Sequence, residues 1–172
     1  QNKSIPPFYP YKSVVFTDGA NGNMGGVTVL RNGKDKNLTS LIFKYSSHGL
    51  SHGHYDKLNL NLYDNGTEIL QDYGAARFIN IEQKYGGRYL PETKSYAQQT
   101  IAHNTITVDE KSHFNGIEAV SEKHNPVPLY NKVGDFAVQA SSALDTNAYQ
   151  NVQLHRSIYV VAIPGATKPL VV

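Results

Sequence analysis

A run of potential ligands opens with Ser51-His52-Gly53-His54-Tyr55-Asp56-Lys57, and two more follow at Asp72, in Gln71-Asp72-Tyr73-Gly74, and at His103, in Ala102-His103-Asn104-Thr105. Neutral imidazole and carboxylate suit a divalent ion such as zinc. Two His and one Asp make a permitted coordination set, with a fourth position left for water or another ligand. His54, Asp72 and His103 are therefore the candidate metal ligands. They are separated by 18 positions (54 to 72) and 31 positions (72 to 103), so no single helix or loop can present all three. A fold must bring separate segments together. Any one His taken alone is more often a hydrogen-bonded or exposed side chain than a ligand.

A second set of chemical groups lies between the Asp and the distal His. The chain holds 12 tyrosines and no tryptophan, and Tyr73, Tyr85, Tyr89 and Tyr96 share one region with Arg77 and Arg88. A phenol with a pKa of about 10 becomes a proton donor or base when a nearby cation or metal lowers that value, and arginine holds a carboxylate through paired hydrogen bonds. An acidic sugar would need both. Residue by residue, the competing reading is that these side chains pack and cap a loop.

The elements that must position these groups read as strands. A chain of 172 residues can bury one substantial core, which argues for one domain. The formal net charge of +2 is too small to argue for nucleic acid, and cysteine is absent, so no disulfide framework exists. No apolar run approaches the roughly 18 residues of a membrane span. Period-two or β-branched runs occur at 26–31, 38–45, 57–63, 67–71, 104–108, 136–140 and 152–163, which predicts an all-β, antiparallel architecture. Leu58, Leu60 and Leu62 alternate with polar neighbours, and Asp64-Asn65-Gly66 supplies a tight hairpin into Thr67-Glu68-Ile69-Leu70. That hairpin places Asp72 near the start of the outgoing strand, beside His54, and leaves His103 to arrive from afar. Residues 74–100 read as a long functional loop with a short helix near 94–99. The apolar ending Lys168-Pro169-Leu170-Val171-Val172 reads as a strand cut in midstream, so a longer parent is expected. Asp109-Glu110 and His113 read as a solvated turn.

The motifs His52-Gly-His-Tyr-Asp-Lys-Leu-Asn, Tyr63-Asp-Asn-Gly, Asp72-Tyr-Gly-Ala-Ala-Arg-Phe, Gly87-Arg-Tyr-Leu-Pro-Glu, Gln99-Thr-Ile-Ala-His-Asn-Thr and Val108-Asp-Glu-Lys-Ser-His-Phe occur in one order. In that order the chain resembles the heparinase II/III-like lyases, and within them it is most similar to the oligoalginate lyases of polysaccharide lyase family 17. The likeness is dense over 40–116 and thin at Leu154-His155-Arg156-Ser157.

The resemblance implies an N-terminal (α/α) toroid followed by an antiparallel β-sandwich, with the active site in the groove between them. Residues 1–172 would be a partial sandwich domain. It implies a structural zinc on His54, Asp72 and His103, a catalytic Tyr89, and His52 and Arg77 lining the substrate groove. The implied reaction is β-elimination on a uronate-containing oligosaccharide, most simply alginate, in a periplasmic or secreted bacterial enzyme. The isolated fragment is expected to be inactive, because the toroid carries the remaining catalytic groups.

Three alternatives stand beside this one. A heparan-type glycosaminoglycan lyase would need more basic residues than Arg77, Lys84, Arg88 and Lys94 supply locally. A cupin-like metalloenzyme would place a Glu shortly after the His pair, and positions 55–60 hold none. The last is a non-catalytic carbohydrate-binding sandwich.

Overall fold

Residues 12–49, 52–75, 82, 86 and 89–172 are described by the computed structural model. The alternation of side chains sets the first sheet. β2 (Gly26–Asn32) buries positions 26, 28 and 30, and β3 (Thr39–Lys44) buries 39, 41 and 43, so each strand turns one face inward. With β1 (Val14–Thr17), β4 (Asn59–Asp64) and β5 (Thr67–Leu70) they form a five-stranded antiparallel sheet in the order β1-β2-β3-β4-β5. The β4–β5 hairpin closes as expected. Asn65 and Gly66 take φ values of 49° and 76°, the left-handed pair that a two-residue turn requires, and Asp64 pairs with Thr67.

The second sheet has four antiparallel strands in the order β6 (Val127–Lys132), β7 (Val138–Tyr149), β8 (Val152–Val161) and β9 (Leu170–Val171). A bulge interrupts β7 between Asp145 and Tyr149, where the Asp145 carboxylate accepts the backbone N–H groups of Asn147 and Ala148. The sheets pack face to face. Leu30, Leu41 and Phe43 of one, with Tyr45 and Leu58 just beyond its strand ends, meet Ala143, Leu154, Ile158 and Val160 of the other. Each large side chain buried this way stabilises the fold by about 1.5–3 kcal/mol. A polar contact crosses the core as well: Ser141 Oγ lies 3.0 Å from Thr28 Oγ1 and 2.6 Å from Asn131 Oδ1. The result is the expected antiparallel β-sandwich.

Four local expectations need correction. Residues 104–108 form no strand; their hydrogen bonds go instead to the Leu60 N–H, the Arg156 guanidinium, the His113 ring and the Tyr149 hydroxyl. The expected strand at 57–63 begins at Asn59, because Leu58 sits at φ 58°, outside strand geometry. The helix near 94–99 is a π-helical turn at Thr93–Ala97. Asp109 and Glu110 do form an exposed turn, but His113 is fully buried: its Nδ1 accepts the Lys57 N–H and its Nε2 faces the Ile106 carbonyl at 2.9 Å. β1 and β6 were not anticipated. Both are sheet edges, one of four residues and the other containing Pro128, which an edge strand tolerates.

Candidate metal centre and adjoining cleft

The His52-Gly53-His54 segment is shaped by a close approach that only glycine permits. A Cβ at position 53 would lie 1.9 Å from the His48 carbonyl oxygen and 2.4 Å from His48 Cδ2. The segment is then pinned to the residues that precede His103. Gln98 Nε2 donates to the Gly53 carbonyl at 2.9 Å, the Tyr55 N–H donates to the Gln98 carbonyl at 3.0 Å, and Thr100 Oγ1 donates to the Tyr55 carbonyl at 2.6 Å. His54 and His103 are thereby brought ring to ring, with centroids 5.1 Å apart.

Asp72 arrives just beyond the end of β5. Its Oδ2 accepts from Asn59 Nδ2 at 2.6 Å, and its Oδ1 accepts from the Gly74 N–H at 2.8 Å and lies 2.8 Å from His103 Nδ1. Gly74 is required here, because a Cβ at that position would sit 1.8 Å from His103 Cε1. Asp56, two residues after His54 and buried, joins the group and forms an ion pair to Lys44 Nζ at 2.6 Å. Ligand-capable atoms of Asp56, Asp72 and His103 all lie within 4.8 Å of one another.

The electrostatics leave these side chains in ligand form. Burial, reinforced by the neighbouring His103 and Lys44, lowers the His54 pKa to about 4, so its ring is neutral at pH 7 with a lone pair to give. Burial opposes ionisation of Asp72, but the hydrogen bond and charge of His103, the Gly74 N–H and the Asn59 amide outweigh it and bring its pKa to about 2. Burial likewise opposes ionisation of Asp56, and Lys44 with the two imidazoles overcomes it, so its pKa is also lowered. His103 Nε2 is buried and has no hydrogen-bond partner among the described residues. A buried, unpartnered ring nitrogen beside the His54 imidazole and two carboxylates fits a divalent ion.

A cleft of about 410 Å3 opens beside this cluster, with Lys44, His48, His52 and His54 on its wall. His52 is exposed on it. His48 is buried, with Nδ1 2.9 Å from Ser121 Oγ. Lys57, the last residue of the motif, points away into the interior: its Nζ donates to the His124 carbonyl at 3.2 Å, and burial lowers its pKa to about 8. Tyr89 is 79% exposed. Arg77 and Arg88 lie outside the described residues.

The structure thus sets His54 ring to ring with His103, Asp72 against His103, and His52 on the adjoining cleft, but the ligand-capable atoms that converge are those of Asp56, Asp72 and His103, a set that holds Asp56 in place of the expected His54. Sequence reading missed Asp56, Lys44, Asn59 and Gly74. Asp56 carried a usable signal, since i and i+2 positions of an extended segment share a face and His54 was already a candidate. Lys44 and Asn59 carried none beyond their place in strands that pair at that position.

The family model described as Heparinase II/III-like, C-terminal, matches residues 17–172. An exo-oligoalginate lyase of Saccharophagus degradans is 47% identical over 164 residues, which are 95% of this chain and 22% of that protein. An alginate lyase of Stenotrophomonas maltophilia is 41% identical over 170 residues, 99% of this chain and 22% of that protein. The chain therefore spans about a fifth of the length of these relatives. Among solved structures, a heparinase III superposes with a TM-score of 0.65 at 21% identity, covering 92% of this chain and 21% of that one. The heparan sulfate lyase HepC of Pedobacter heparinus gives 0.60 at 21% identity, covering 86% and 20%. At that identity the likeness is one of fold, and it agrees with the two antiparallel sheets. With the profile covering nearly all of its length, the chain belongs to the heparinase II/III-like C-terminal family.

Proposed function

We propose that this chain is the sandwich-side half of the active site of a polysaccharide lyase that cleaves uronate-containing oligosaccharides, alginate foremost, by β-elimination. The observation that carries this reading is the identity of 47% and 41% to two proteins named as alginate lyases, sustained over 95% and 99% of the chain. The histidine-lined cleft beside a buried His/Asp cluster supports it.

In the reaction, a base removes the proton at C5, α to the uronate carboxylate, and an acid protonates the departing glycosidic oxygen at C4. The product carries a C4=C5 double bond. Charge that develops on the carboxylate must be met by donors already in place. Arg77 and Arg88 are assigned to grip carboxylates, Tyr89 to deliver the proton to the leaving oxygen, and His52 to hydrogen-bond with the reacting groups from the cleft wall. The exposure of Tyr89 is what a group awaiting substrate requires. The toroid of the same polypeptide is assigned the remaining catalytic groups.

A divalent ion, zinc in this reading, would be held by His54, Asp72 and His103, with Asp56 close behind, and would fix the loops rather than attack substrate. We place the intact polypeptide in the periplasm or outside a bacterial cell, where a long polyanion is encountered; cell fractionation tests that placement.

The decisive experiment follows absorbance at about 235 nm, where the unsaturated uronate absorbs, as the intact polypeptide meets alginate oligomers, heparan sulfate and hyaluronan. A rise on alginate that falls at least about 100-fold in Tyr89→Phe is the expected outcome. No rise on any of the three would remove the lyase assignment for these substrates, and an undiminished rate in Tyr89→Phe would remove its acid role.

A further inference from the structure

Arg156 lies on β8, in the sheet opposite the His/Asp cluster, yet it reaches across the core. Its Nη1 donates to the Leu58 carbonyl at 2.6 Å and to the Asn104 carbonyl at 2.8 Å. No carboxylate pairs with it among the described residues, and burial pulls its pKa below the usual arginine value. Arg156 is half-buried, and even a partly desolvated cation without a counter-ion carries a cost that its hydrogen bonds offset.

The two carbonyls sit on the segments that carry the candidate ligands. Leu58 lies in the run that bears His54 and Asp56 and immediately precedes Asn59, which holds Asp72. Asn104 follows His103 directly, and its Nδ2 donates to the carbonyl of Gln71, the residue before Asp72. One terminal nitrogen therefore clamps the His54 and His103 segments together, and through Asn59 and Asn104 it also fixes the Asp72 segment. The clamp explains a strained residue too. Leu58 is fully buried at φ 58°, a conformation that costs a leucine about 1–3 kcal/mol and persists only where the surroundings enforce it. The partner across the ladder from Arg156 is the small Ala143.

We infer that Arg156 is a positioning residue that sets the Asp72–His103 geometry from the opposite sheet by bridging the Leu58 and Asn104 carbonyls. Its consequence for metal affinity rests on the metal reading given above; its consequence for the Asp72–His103 contact does not.

The test uses the intact polypeptide as wild type, Arg156→Met and Arg156→Lys, stripped of metal and labelled with 15N-histidine. Long-range 1H–15N spectra report which nitrogen of His103 carries the proton, and zinc titration calorimetry reports affinity. In wild type, His103 should show an Nδ1-protonated ring facing Asp72. Arg156→Met should lose that signature and weaken zinc binding by about 10–100-fold. Arg156→Lys keeps the charge but not the planar fork and should lose only a few-fold. A folded Arg156→Met whose His103 spectrum and zinc affinity match wild type overturns the inference, even if its melting temperature falls, because a purely structural arginine would behave in that way. If Arg156→Met does not fold, an Arg156→Lys indistinguishable from wild type in both readouts overturns it equally. Absence of zinc binding in wild type refutes the metal reading instead, and the His103 spectra then decide the inference alone.

Discussion

Gly74→Ala is the sharpest steric test of the candidate centre. A Cβ at position 74 would lie 1.8 Å from His103 Cε1, 2.4 Å from His103 Nδ1 and 2.8 Å from Asp72 Oδ1. Carbon atoms in contact settle at about 3.5–4 Å, so the imidazole must retreat by roughly 2 Å. The His103 side chain is only 2% exposed and has little room to do so. A bond of 2.8 Å to Asp72 does not survive a shift of that size. Losing a charge-assisted hydrogen bond costs about 1.5–3 kcal/mol and overpacking adds about 1–3 kcal/mol, so a loss of about 2.5–6 kcal/mol is expected. Gly74 does not occupy the left-handed region, so the penalty is steric rather than conformational. Urea unfolding of the metal-free intact polypeptide measures it. The same substitution in a His103→Ala background should cost about 2–3 kcal/mol less, because the ring it collides with is gone. A Gly74→Ala protein within about 0.5 kcal/mol of wild type, or one equally destabilised in both backgrounds, would refute the steric argument.

Three further outcomes follow from the same contacts. Lys44→Met strands the buried Asp56 carboxylate; breaking a buried pair costs about 3–5 kcal/mol, and with Lys44 34% exposed this is discounted to about 1–3 kcal/mol of unfolding free energy. In wild type the lowered pKa values of Asp56 and Asp72 give stability that is present above the ordinary aspartate range and is lost as pH falls through their folded values, about 2 for Asp72. In Lys44→Met the burial of Asp56 is less well opposed and its pKa rises, so the stability deficit relative to wild type should be full near neutral pH and should narrow as pH falls through the aspartate range, as urea unfolding at a series of pH values measures. Asn59→Ala removes the 2.6 Å donor to Asp72 Oδ2 and should weaken zinc affinity about 10-fold by calorimetry, whereas an unchanged affinity would show that the Gly74 and His103 contacts suffice. Chelation of a bound ion should lower stability by about 4 kcal/mol at a free metal concentration 1,000-fold above Kd, and an unshifted melting curve would count against any resident metal.

The sandwich was legible where one face alternates. Leu58, Leu60 and Leu62, with the Asp64-Asn65-Gly66 turn, announced the β4–β5 hairpin because side-chain period and turn chemistry are local properties. The segment 104–108 carries the same β-branched signal and yet forms no strand, since its backbone groups are taken by His113, Tyr149 and Arg156, partners that no local pattern reveals. Of the converging set Asp56, Asp72 and His103, the last two were legible as residue types, whereas His54 was read in the place that Asp56 takes. The supports of that set were not legible, because Lys44, Gly74 and Arg156 act through contacts set by sheet packing. His113 shows the reverse error: placed after two exposed turn residues it read as solvated, but it is a neutral core ring that fastens the Lys57 backbone to Ile106.

The reach of Arg156 also sets an order of events. Its bond to Leu58 joins residues 98 positions apart, and closing a loop of that length costs entropy that the distant contact must recover. The motif-bearing first sheet can zip up from near neighbours, and on the inference drawn above a site for an ion would take its final shape only when β8 docks onto it. During refolding, metal capture should therefore lag behind the growth of sheet structure, and a polypeptide still emerging from the ribosome would hold every candidate ligand while remaining unable to grip an ion.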